Sequence, residues 1–296
     1  MAIGLIYTHW SLRQLTIPLP SHQELFDLLK VKEGPTSISY ITTASLQDKI
    51  RNEIIYPSFV LQWADGRRFV IDMGMDEQGS QDFFNKMGWQ YDSDSIQSHG
   101  SIKEQLGADY SSVAGLGLTH LHPDHVQGAQ TFCRAESPKV PLFQTAQQAS
   151  ERNHTTVLGA ALVDQGSCIE PRTLTSDSYL KPIPDFPGLA AFPIAGHSPG
   201  SSIFVAAVEG KLWVIAGDVS WERNALLSNQ PKKVSLFRSI LIPEDDNRLL
   251  ELRQWLAQLD TIKNVGVLLC HDSHALKQFG PPTYHSINGS LNSNGT

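Results

Sequence analysis

Four apolar, strand-like runs in this chain each end in a histidine or an aspartate. Val113–Thr119 runs into His120-Leu121-His122-Pro123-Asp124-His125, and Leu189–Ala195 runs into Gly196-His197-Ser198-Pro199-Gly200. Lys211–Ala216 ends at Gly217-Asp218, and Val265–Cys270 ends at His271-Asp272. Separate strands of one α/β sheet can deliver the side chains at their ends to a common edge. That is the arrangement these four runs demand if their polar ends are to act together.

The spacing inside the first cluster has its own logic. Residues two apart in extended chain point the same way, so His120 and His122 can hold one ion together. Pro123 fixes φ and can open a helical turn, which swings Asp124 and His125 to a neighbouring position. Four ligand-type side chains in six residues exceed what one tetrahedral ion with an open position uses, whereas two ions ~3.5–4 Å apart would use them. Packed that closely without a cation, ionisable groups repel one another or need other partners. A lone His197 or His271 would more often be a hydrogen-bonded cap, and a lone Gly-Asp pair a turn. The dense cluster is what makes them ligand candidates. His and Asp donors suit Zn, Mn, Fe and Co alike, with Zn placed first.

The rest of the chain supplies a scaffold for such an edge. Its 296 residues are 41% hydrophobic and 18% charged, which excludes a disordered or fibrous chain. Lys and Arg number 23 against 30 Asp and Glu, a net charge of −7. That balance speaks for a small-molecule substrate and against nucleic acid or a membrane as the main partner, and it leaves room for a homodimer. No apolar run approaches the ~18 residues of a spanning helix. The first twenty residues lack a basic segment followed by a continuous apolar one, so no secretory leader is expected. Cys133, Cys168 and Cys270 are odd in number and scattered, which predicts reduced thiols and a cytoplasmic protein.

Ser58–Trp63 and Arg68–Asp72 flank Ala64-Asp65-Gly66-Arg67, a hairpin signal. Helical patterns fall at Gln23–Lys30, Gln81–Met87, Thr145–Arg152 and Pro243–Leu259. The last opens with Pro243, Glu244, Asp245 and Asp246, acids suited to a helix N-terminus, and continues with a leucine stripe. Interleaved strands and helices predict a layered α/β architecture with a mixed sheet. Residues 1–276 are read as one domain, and the Gly/Ser/Asn-rich residues 277–296 as a tail expected to be mobile from about Gly280.

The pattern resembles the metallo-β-lactamase-fold hydrolases. The resemblance rests on HxHxDH at His120–His125, GHSPGS at Gly196–Ser201, the Gly-Asp at 217–218, the terminal His271, and Phe69-Val70-Ile71-Asp72-Met73-Gly74. It covers about residues 58–272 in the family's order and implies a four-layer αββα sandwich with two divalent ions at one sheet edge. Carried over, His120, His122 and His197 would hold the first metal, and Asp124, His125 and His271 the second. Asp218 would bridge both. His271 is preferred to His274 because it directly follows the apolar run. Asp72 and Ser198 would support the ligands from behind, with a turn-forming role beside Pro199-Gly200 the alternative for Ser198.

In that chemistry two ions sharing a water supply hydroxide near neutral pH, and Asp124 orients the nucleophile or passes a proton. The motif set is closest to the quorum-quenching lactonase and organophosphate-hydrolase branch. One departure is Trp221, which stands where some lactonases carry a catalytic Tyr and cannot supply a phenolic proton. The expected activity is therefore metal-dependent hydrolysis of a lactone or ester-like molecule. Phosphotriester or phosphodiester hydrolysis is the alternative, and an iron-dependent redox reaction a more distant one. Trp221, Met75 and Phe83 are the leading pocket candidates, with Met87, Trp89, Tyr91, Phe237 and Ile240 in the same two stretches.

Overall fold

Alternation along the central strands decides the layering. The computed structural model describes residues 17–49, 52–133, 138–232 and 236–286. Phe59, Leu61, Phe69 and Ile71 point to one face of their strands and pack with Phe204, Ala206 and Ile215 from other strands. Their neighbours Val60 and Val70 point the opposite way, against Ile102, Leu106, Val126 and Phe132. Ile203 and Val205 likewise face Leu249, Leu252, Leu256 and Leu259. Strands that bury both faces in this period-2 manner must sit between a second sheet and a layer of helices. The result is the expected four-layer αββα sandwich.

The first sheet has seven strands in the order β4-β1-β2-β3-β5-β6-β7, and the second has five in the order β12-β11-β10-β9-β8. In the first, β1 (Ser37–Asp48), β2 (Asn52–Gln62) and β3 (Arg68–Ile71) form an antiparallel meander. β4 (Gln97–Ser98) pairs with β1 at the edge. β3, β5 (Val113–Gly117), β6 (Val140–Gln144) and β7 (Ile169–Thr173) run parallel. In the second, β8 (Lys181–Pro182), β9 (Leu189–Pro193), β10 (Ser202–Val208) and β11 (Lys211–Ile215) are antiparallel, and β12 (Val265–Leu268) runs parallel to β11. The β2–β3 hairpin closes as its turn residues predict, with Gly66 at φ 89°. Where the sheets press together, β5 carries glycines. A Cβ on Gly117 would stand 2.5 Å from the Phe204 ring.

Helix positions follow the apolar stripes, with one reassignment at Pro243–Leu259. The helix spans Asp246–Asp260 and is capped by Asp245, whose carboxylate accepts from the Asn247 and Arg248 N–H groups. Glu244 does not serve the helix. It turns inward to the cluster described below.

Two expectations change. Cys133 and Cys168 form a disulfide, with Cα atoms 5.3 Å apart, and only Cys270 is a free thiol. Cys133 follows the helix Ala129–Phe132 and Cys168 precedes β7, so the parallel β6–β7 pairing brings them together. Counting cysteines carries no trace of that adjacency, and the argument for reduced thiols loses its basis. The tail read as mobile is, over its described part, packed on β1. Tyr40 donates its N–H to the Pro282 carbonyl at 3.0 Å and accepts from Tyr284 N–H at 2.8 Å, while the Tyr284 hydroxyl reaches Asp109 at 2.5 Å. Residues 287–296, and residues 1–16 on which the leader argument partly rests, lie outside the described residues. No helix among the described residues is long and apolar enough to cross a membrane. Thiol titration of protein unfolded without reductant should count about one thiol per chain, rising to about three after reduction, and a count of three before reduction would refute the disulfide.

Candidate metal centre

Asp72 ends β3 in the left-handed region, at φ 62°, a conformation Asp tolerates better than most residues. Its fully buried carboxylate accepts the Thr119 N–H at 2.7 Å, the Thr119 hydroxyl at 2.8 Å and His125 Nδ1–H at 2.9 Å. Those bonds fix the end of β5 and the short helix Pro123–Val126, which starts with Pro123 at its first position.

Three imidazoles then converge. His120 Nε2 lies 3.1 Å from His122 Nδ1, and His197 Nε2 lies 3.1 Å and 3.0 Å from those two atoms. Their outer nitrogens identify the tautomers. Thr119 spends its hydroxyl proton on Asp72, so it accepts from His120 Nδ1–H at 3.2 Å. Thr155 donates to Asn153 Oδ1 at 2.7 Å and therefore accepts from His122 Nε2–H at 3.0 Å. Glu244, which can only accept when ionised, takes His197 Nδ1–H. All three inner nitrogens are thus lone pairs aimed at one point. Burial, and then the neighbouring imidazoles, hold His120 and His122 well below the usual histidine range. Burial and the Lys232 ammonium also lower His197. Ligand nitrogens around a tetrahedral ion at roughly 2.0–2.1 Å stand about 3.3 Å apart, so the donor set fits a cation.

A second group adjoins the first. His271 donates Nδ1–H to the Ile55 carbonyl at 2.9 Å, which leaves Nε2 facing Asp218 at 3.1 Å and Asp124 at 3.7 Å. His125 Nε2 faces Asp218 Oδ1 at 3.4 Å and Asp124 at 3.8 Å. Asp218 Oδ2 also lies 3.5 Å from His197 Nε2, so this carboxylate stands between the two groups. His125 Nε2 and Asp218 Oδ1 are buried without a hydrogen-bond partner among the described residues, which is what open ligand atoms look like. Burial opposes charge on His125 and His271, yet Asp72 and Asp124 raise the first and Asp218 raises the second. Asp218 is held low against its burial by His271 and His125. His274 is exposed on the helix Ser273–Phe279 and, unlike His271, is not among the converging donors.

Asp72, His125 and Cys270 also lie close together. Asp72 already accepts from Thr119 N–H, the Thr119 hydroxyl, His125 and, at 3.6 Å, the Cys270 thiol itself, and burial keeps that thiol protonated, so that trio does not suit an ion.

A cavity of about 360 Å³ opens over the donors. Trp221, Phe83, Met87, Trp89, Tyr91 and Arg238 are among its walls. Met75 is a correction: it is fully buried with Tyr56 and Phe83, because the left-handed Gly74 turns the chain back into the core. Ser198 is another. Its hydroxyl bonds to Ser201 at 2.9 Å and its N–H to the same oxygen, holding the turn rather than an imidazole. Ile240 is exposed, and the Phe237 side chain lies outside the described residues. The supporting residues Thr119, Thr155 and Glu244 went unseen in the sequence. Thr155 sits in an unmarked loop, and Glu244 passed for a helix-start acid.

The metallo-beta-lactamase superfamily model matches residues 53–231. The chain belongs to that superfamily, and it is a metal-dependent hydrolase. Among solved structures it resembles an N-acyl homoserine lactone hydrolase with N-hexanoyl-L-homoserine bound at the metal centre, at 15% identity and TM-score 0.58, covering 82% of this chain and 96% of that one. A Bacillus thuringiensis AiiA mutant with N-decanoyl-L-homoserine bound gives 14%, 0.59, 82% and 96%. A probable metal-dependent hydrolase from Staphylococcus aureus gives 13%, 0.54, 81% and 91%. No curated protein matches the chain.

Replacing Asp72 by Ala removes the acceptor of four buried donors and leaves Ala in a left-handed conformation. In urea unfolding of metal-free protein, Asp72→Ala should cost about 3–5 kcal/mol. A loss under about 1 kcal/mol would show that Asp72 does not organise these strand ends.

Proposed function

We propose that this chain is a dinuclear hydrolase of a lactone or other ester-like small molecule, with Zn as the first choice of metal. The observation that carries this is the convergence of three imidazole lone pairs beside a carboxylate shared with a second His/Asp group. His120, His122 and His197 would hold one ion, Asp124, His125 and His271 the other, and Asp218 both. Bound there, two divalent ions would lower the pKa of a shared water and polarise the scissile acyl oxygen.

The chain's own groups do the rest. Asp124 lies at the cavity floor with its side chain 11% exposed, and can take a proton from the attacking water and pass it to the leaving oxygen. Trp221 directs its indole N–H at Asp218 Oδ2, at 3.4 Å, so its ring stands as a wall and not as a proton donor. The apolar side chains opposite suit an acyl chain. Similarity in fold to an N-acyl homoserine lactone hydrolase supports the ester-like class.

Protein kept from chelators should carry about two metal equivalents, and Asp218→Ala should lower both occupancy and rate. A fully active enzyme with one equivalent would overturn the dinuclear reading. In a panel of lactones, aryl esters and phosphotriesters, ester-like substrates should be preferred. Trp221→Ala should then raise KM by roughly tenfold while changing kcat less, the signature of lost uniform binding. Good turnover of phosphotriesters with lactones and esters inert would transfer the activity to phosphoryl substrates.

A further inference from the structure

A second cavity, of about 440 Å³, adjoins the one over the donors, and Tyr91, Trp221 and His271 line both. The two cavities therefore meet at a donor of the second His/Asp group. The other walls of the second come from the stretches that follow Asp218 and His271 in sequence, and from Glu53 and Ile54 of β2. A bridge between Ile54 and Asp272 holds these stretches together. The linings differ. Phe83, Met87 and Leu158 make the first cavity apolar on one side. In the second, the charges are mostly answered from within. Glu53 pairs with Lys277 at 2.6 Å and accepts from the Ser273 hydroxyl, and Arg223 pairs with Asp260. Asp272 accepts the Arg223 and Ala275 N–H groups at 2.7 and 2.8 Å. The exposed Glu222 is the one carboxylate of this lining without such a partner among the described residues. Asn224, His274 and Gln278 present side chains with no hydrogen-bond partner among the described residues.

An ester has two arms that part at the scissile bond, and two cavities meeting at one donor match that shape. The apolar cavity suits the acyl arm, which leaves the polar one for the alcohol. Side-chain amides offer donors and acceptors together, and so does a hydroxyl group. An alkyl alcohol would strip water from these amides and give nothing back. We infer that the second cavity binds the alcohol arm of the substrate, and that this arm is an uncharged polyol. The inference rests on the hydrolase reading and narrows it to an acyclic ester, whose arms separate on cleavage, rather than a lactone. The bond from acyl carbon to alcohol oxygen breaks and one from acyl carbon to water oxygen forms. One water proton goes to the leaving oxygen, the other is lost from the acid, and the polyol departs through the second cavity.

Equilibrium titration of the metal-loaded full chain with hexanoyl amides tests this, because amides hydrolyse far more slowly than esters. The amides of glucamine, ethylamine and trimethylammonioethylamine share the acyl arm and differ only beyond the scissile bond. Wild type should bind the glucamine amide about tenfold tighter than either of the others. Asn224 and Gln278 are exposed, so the Asn224→Ala/Gln278→Ala protein should fold, and it should bring the glucamine-to-ethylamine ratio to within about twofold. Equal binding of the glucamine and ethylamine amides by wild type would overturn the subsite. Tightest binding of the cationic amide would overturn the polyol class and point to Glu222. A glucamine preference that survives in the double variant would overturn the assignment to these walls. Failure of every ester in the substrate panel, with the glucamine preference intact, would count against the hydrolase reading and leave the polyol site standing.

Discussion

One buried carboxylate determines where the donors stand. Asp72 has no solvent exposure, and its two oxygens bind the backbone and hydroxyl of Thr119 and the ring of His125. The main chain repeats the tie, because Asp72 N–H donates to Gly117 at 2.9 Å and Met73 N–H to His125 at 2.8 Å. β3, β5 and the helix carrying His125 are thereby one unit. The cost is a left-handed Asp72 followed by a left-handed Gly74, where a Cβ would stand 2.1 Å from Thr43 Oγ1. Strain of this kind persists only where surrounding bonds over-determine it, and here they do.

The same carboxylate divides the centre electrically. His120, His122 and His197 are neutral by burial and present lone pairs, so the first set is ready for a cation. Around His125 and His271 the balance runs the other way, because Asp72 and Asp124 raise the first against its burial and Asp218 raises the second. Asp218 stands between the two sets, 3.5 Å from His197 Nε2 and 3.1 Å from His271 Nε2.

The parts of this arrangement that were legible in sequence are those built from local periodicity. Each apolar run appears as a strand, from β5 to β12, with its donor at the end. The stripe of Leu249, Leu252, Leu256 and Leu259 appears as a helix packed on the second sheet. The two-residue spacing of His120 and His122 puts both on one face, as extended chain requires. What escaped depends on contacts remote in sequence. β1 was hidden because its register shifts between Thr42 and Ala44, which breaks the alternation that marks a strand. The Cys133–Cys168 bond comes from a crossover, and Leu158 reaches the cavity only because Gly159 lets its helix approach the Leu121 backbone, where a Cβ would sit 2.1 Å from the carbonyl oxygen.

Glu244 shows most clearly why a pattern of residue types can mislead. It sits in a run of acids before a helix, and acids there are usually read as complements to the helix dipole. The neighbouring residues do that work and more. Asp245 caps the helix, and its N–H donates to the Gly196 carbonyl at 2.8 Å. Arg248 Nε donates to the Ile194 carbonyl at 2.9 Å. These bonds clamp the turn in which Ala195 and Gly196 are both left-handed, at φ 56° and 84°. Non-glycine residues adopt that conformation at a cost of about 1–2 kcal/mol, so Ala195 needs the clamp. With the turn held from outside, His197 points inward and Glu244 is carried to its Nδ1. The helix Asp246–Asp260 and the residues that lead into it thus fix both the backbone and the tautomer of His197, which follows β9 in sequence.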